Sequence, residues 1–79
     1  MSDVQSTAFA LFEDLARADL RRYLDRSAAA LADGDPVQAY GHARAAQAIE
    51  RLITYDAGTF DAIQAACFAA ARAIGADRV

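Results

Sequence analysis

At 79 residues the chain has room for one domain. Eight Arg, no Lys and eleven acids give a formal charge of -3, which weighs against non-specific adhesion to nucleic acid or anionic membranes; the single cysteine excludes an internal disulfide and a multi-cysteine zinc site. Apolar types make up 56% of the chain, yet 22 of them are Ala, which favours helix and buries little area, and Gly (4) and Pro (1) are too scarce for a β-rich fold.

The first helix is expected from about residue 3 to 33. Ser2-Asp3-Val4-Gln5 fits a capping box. Ala8, Phe9, Phe12, Leu15, Ala16, Leu20, Tyr23, Leu24, Ser27 and Leu31 then form one broad apolar stripe, with Leu11 lying off it. Gly34 supplies the left-handed residue that stops the helix. Such length is unusual in so short a chain, and a break near Ser27 is the alternative.

Asp35-Pro36-Val37-Gln38 reads as N-cap, Pro at the first helical position and Gln at the third, and starts a second helix expected to run to about residue 55. Its inward face is read as Gly41, His42, Ala45, Ala46, Ile49, Leu52 and Ile53. A third helix is expected at about 59–75, with Thr59 as N-cap and Phe60, Ile63, Cys67, Ala70 and Ile74 as its seam. Residues 76–79 are expected to fray. Short turns make neighbouring helices antiparallel, so the fold class is all-α: a single domain over 1–79, built as an up-down-up three-helix bundle with a long first helix.

The side chains able to carry chemistry occur singly. Cys67 sits mid-seam, where a thiol is usually a small buried hydrophobe rather than a nucleophile. His42 faces inward without the further ligands a metal would need. Asp33-Gly34-Asp35 lacks the later ligands of a calcium loop, and helix-end chemistry already accounts for both acids. The stretch Glu13–Arg26 carries four Arg and four acids; Glu13–Arg17, Asp19–Arg22 and Arg21–Asp25 have the spacing of a self-paired, solvated face. No enzyme activity, cofactor or metal is therefore expected.

Two surfaces suit a partner better. Tyr40 is placed opposite the core stripe beside Arg44 and Arg51, a composition favoured at binding hot spots; the blander reading is a Tyr stacked on Arg44. Ala62, Ala66, Ala69 and Ala73 form a second row on the third helix, which is apolar nearly all round and so wants burial on more than one side. The leading expectation is a small acidic interaction protein that docks on a larger protein or complex as inhibitor or adaptor, by analogy with phage-encoded inhibitors of host defence or nucleic-acid-binding complexes. The alternative is an assembly protein, a homodimerising bundle or a small subunit. Direct nucleic-acid binding is not expected. With no secretory leader and no run of about 18 apolar residues, a cytoplasmic location is expected and a membrane is not.

Overall fold

The computed structural model describes residues 2–77, and side chains over 4–76. Three helices follow in order: α1 (Ser2–Ala32), α2 (Pro36–Glu50) and α3 (Ala57–Asp77). They form a three-helix bundle, and no strand occurs among the described residues. The capping box expected at Ser2 lies outside the described side chains. Of the tail expected over 76–79, Ala76 and Asp77 continue α3 past Gly75, and Arg78 and Val79 lie outside the described residues.

The first turn follows from Gly34. With φ of 80°, Gly34 occupies the left-handed region that side chains avoid. Its N–H donates to the Leu31 carbonyl (3.1 Å), and the Asp35 N–H donates to that of Ala30 (2.9 Å). These two bonds satisfy carbonyls left open at the end of α1. Asp35 then caps α2 by accepting the Gln38 N–H at 3.2 Å, ahead of Pro36. One pentapeptide thus ends one helix and starts the next.

The second turn departs from expectation. α2 stops at Glu50 and α3 begins at Ala57, so the cap is Asp56 rather than Thr59. The Asp56 carboxylate accepts both the Thr59 N–H (3.2 Å) and the Thr59 hydroxyl (2.6 Å). Asp caps as well as Thr does, and here the Thr hydroxyl is spent on the Asp. Thr59 holds the Asp56 carboxyl below its ordinary range, chiefly through the hydroxyl and then through the backbone N–H.

α2 packs on both α1 and α3, while α1 and α3 meet only along a short stretch. The central helix is therefore buried on two sides. Its buried positions are Pro36, Ala39, Ala43 and Ala46, whereas Gly41 and Leu52, both read as inward, are exposed. The expected face was weighted by the large apolar residues; the Pro36–Ala39–Ala43–Ala46 row, at 3-4-3 spacing, is the buried one, because small side chains let neighbouring helices approach closely. One core cluster gathers Leu20, Ala46 and Ile63, with Tyr23, Leu24, Ile49, Ile53 and Cys67 packed around it. A second joins Ala30, Ala39 and Ala70, flanked by Leu31 and Tyr40. Ser27, buried among these residues, donates its hydroxyl to the Ala39 carbonyl at 2.8 Å, so α1 passes through this point unbroken.

The molecule is elongated. Its radius of gyration is 14.9 Å, against about 12 Å for a compact chain of this length. At 31 residues α1 is about 46 Å long, roughly twice the length of α2 beside it. The first half of α1 consequently projects beyond the end of the bundle.

Candidate functional site

Three surface regions stand out, one stitched shut and two open. The first lies where the α2–α3 turn meets α1. Glu13 accepts the Thr54 N–H at 2.7 Å, Arg17 donates to the Thr54 carbonyl at 3.2 Å, and the two side chains pair with each other at 3.2 Å. Both backbone polar groups of Thr54 are thereby satisfied by one ion pair. The Thr54 N–H is the main reason the Glu13 carboxyl titrates below its usual range, with Arg17 adding to the effect. A cavity of about 260 Å³ opens beside this clamp, lined among others by Arg17, Arg21, Asp56 and Thr59. Three of those four side chains already hold one another or the turn, so its chemistry is structural. The pairing expected along this stretch forms at Glu13–Arg17 and Asp19–Arg22 (3.3 Å).

The second region is a groove between α1 and α3. Because both helices lean on α2 and scarcely on each other, a trough of about 300 Å³ remains between them. Leu24, Ala28 and Leu31 form one wall, and Ala62, Ala66 and Ala69 the other. Ala62, Ala66 and Ala69 of the alanine row thus come together along one groove, while Ala73 is not part of its lining; Ala62 and Ala69 are exposed, and Ala66 and Ala73 half-buried. Ser27 also touches the trough, but its hydroxyl is committed to Ala39, leaving the surface nearly apolar.

The third region is the projecting half of α1. Val4, Phe9, Leu11, Phe12 and Leu15 keep between 49% and 75% of their surface exposed. Single exposed apolar side chains are ordinary, but five within twelve positions of one helix are not. The sequence pattern assigns Phe9, Phe12 and Leu15 to the core stripe, sets Leu11 off it, and gives Val4 a place only in the expected capping box. The stripe is real, but α2 and α3 cover only its second half. The signal that could have shown this was the mismatch in expected lengths, about 3–33 for the first helix against about 36–55 for the second, which α2 widens by stopping at Glu50.

Tyr40 is not on the outer face. It is half-buried against the Ala30–Ala39–Ala70 cluster, and its ring lies 5.9 Å from the Arg44 guanidinium, which also donates to its hydroxyl at 3.3 Å. Arg44 and Arg51 are exposed. His42 is half-buried with its ring 6.1 Å from that of Tyr23, and Cys67 is half-buried in the first core cluster. Among the described residues no group of three His, Cys, Asp or Glu could hold a metal ion, and no helix is long and apolar enough to cross a membrane.

No family model matches the chain, and no curated protein or solved structure shows significant similarity to it.

Proposed function

We propose that this chain is a non-catalytic docking protein, an adaptor or inhibitor, which receives an amphipathic helix of a larger protein in the α1–α3 groove. The observation that carries this reading is the groove itself, open along its length and walled by Leu24, Ala28 and Leu31 on one side and Ala62, Ala66 and Ala69 on the other. A fourth helix laid there would turn three helices into a four-helix bundle. Alanine walls suit this occupant because they permit the 8–10 Å axial distance of close helix packing. An apolar trough with few polar groups also costs little to desolvate. Action would be steric: the helix taken up is withdrawn from its other contacts.

Affinity purification from the native cell tests this, comparing the unaltered chain with Ala69→Glu. Ala69 is exposed, so the substitution should leave helicity and thermal unfolding unchanged. A protein retained by the first and lost by the second, and recovered on Ala69→Gly, is the expected outcome. Identical retention by both variants would refute the groove reading.

A further inference from the structure

The projecting half of α1 carries a second seam, distinct from the side that faces the bundle. At 100° per residue, Val4, Ala8, Leu11 and Leu15 fall within roughly 60° of one another, and the centre of that arc lies roughly 130° from Ala16, Leu20 and Ser27, which face α2 and α3. Within the seam, Val4, Thr7, Ala8 and Leu11 line one depression. Their spacing is i, i+3, i+4, i+7, the four-residue hole into which a facing helix inserts a side chain.

We infer that a second copy of this chain fills the hole, pairing α1 with α1 antiparallel about a two-fold axis near residues 9 and 10. That register sets Val4 of each copy opposite Leu15 of the other, and Ala8 opposite Leu11. Leu11 is then the knob for the hole around Ala8, and the fit is reciprocal, as an isologous interface requires. The inner pairs set a large residue against a small one, Leu11 on Ala8, and the outer pairs set Val4 against Leu15.

Two further observations bear on this pairing. The chain exposes 5572 Å², whereas a compact monomer of 8.4 kDa exposes about 4,600 Å². The excess, on the order of 1,000 Å² per chain, is shared between the overhang and the open α1–α3 groove, and it leaves room for a self-association interface approaching the ~800 Å² that each partner contributes to a standard one. The seam also ends within the overhang: beyond Ala18 the same face carries Arg22 and Arg26, so a longer overlap would bury cations against Val4. The overlap that avoids this stops where the bundle begins, and the two bundles stand clear at opposite ends. Pairing also supplies the tertiary support that an isolated three-turn helix lacks.

This interface shares no residue with the α1–α3 groove, so the two fail separately. Size-exclusion chromatography with light scattering over the micromolar range should give twice the monomer mass. Leu11→Glu should give 8.4 kDa with the helicity of the bundle retained and at most the overhang frayed, because Leu11 lies outside both core clusters. The register is tested by rescue: Leu15→Glu and Val4→Arg should each be monomeric alone and dimeric when mixed. A monomeric unaltered chain, a dimer that survives Leu11→Glu, or a mixture that stays monomeric would each overturn the inference, and each would leave the groove proposal standing. Loss of the groove partner on Ala69→Glu, conversely, says nothing about this dimer.

Discussion

The two halves of α1 carry similar numbers of large apolar side chains in opposite circumstances. Residues 17–32 lie against α2 and α3, and their apolar side is spent on the core: Leu20 keeps 4% of its surface. Residues 4–15 carry at least as many large apolar side chains, and among the described residues none buries them. A helix wheel drawn from sequence cannot separate the halves, since it reports which residues share a side and not whether a neighbour reaches that side. Length decides the matter. α2 spans 15 residues and returns alongside α1 only as far as the Glu13–Arg17 clamp. Apolarity beyond that point must be met by another molecule or left facing water.

The sharpest contrast is energetic. Leu20→Ala removes most of a side chain from a packed cluster and should cost about 2–5 kcal/mol. Leu11→Ala, the same substitution about two and a half helical turns away, should stay within about 0.5 kcal/mol at concentrations where the chain is monomeric. Its deficit should then grow with protein concentration, because the unaltered chain is stabilised by self-association and the variant less so. Urea unfolding at several concentrations measures both. Equal costs at low concentration would mean that the overhang is covered from within the chain.

Much of the fold was legible because its signals are local. Asp35-Pro36 and Gly34 act within a few residues of themselves, and the structure places cap and stop where those residues require them. The facing of α2 was legible only in part: Ala46, Ile49 and Ile53 join the core as expected, while Gly41 and Leu52 face out. In a helix with alanine on several sides, periodicity of large residues is a poor guide, and Ala39, Ala43 and Ala46 form the contact because they are small. The Glu13–Arg17 grip on Thr54 was hidden for another reason: it joins groups 37 and 41 residues apart, and spacing along one helix revealed only the ion pair. Of the candidate sites, the alanine row was readable as a row. The groove was not, since it depends on how α1 and α3 lean on α2.

Ala43→Leu would sharpen the same contrast from the other side. Ala43 is fully buried where α2 packs on its neighbours, and extra volume there must push α2 outward or force strained rotamers. The expected cost is about 1–3 kcal/mol in thermal or urea unfolding. It should fall on the bundle alone: the dimeric mass should persist while the unfolding midpoint drops, since the overhang makes no use of α2. Loss of both together would show that the halves of α1 are not independent.

The smallest effect lies at the boundary between the halves, where pH reaches it. Glu13 is held below its ordinary value of 4.5 mainly by the Thr54 N–H, and Asp56, in the same turn, is held below 3.8 mainly by the Thr59 hydroxyl. A carboxyl whose folded pKa lies below its unfolded value contributes stability that is complete above the unfolded value and is lost as pH falls through the folded one. The bundle should therefore hold its unfolding midpoint down to about pH 5 and lose stability progressively below it. Glu13→Gln keeps an oxygen for the Thr54 N–H but gives up the charge and the pair with Arg17. Its midpoint should lie below that of the unaltered chain near neutrality, and the two should converge as acid protonates Glu13. Circular dichroism melts across that range test this directly. Parallel curves would show that the charge on Glu13 does not hold the turn, and that the end of the covered half is set by packing alone.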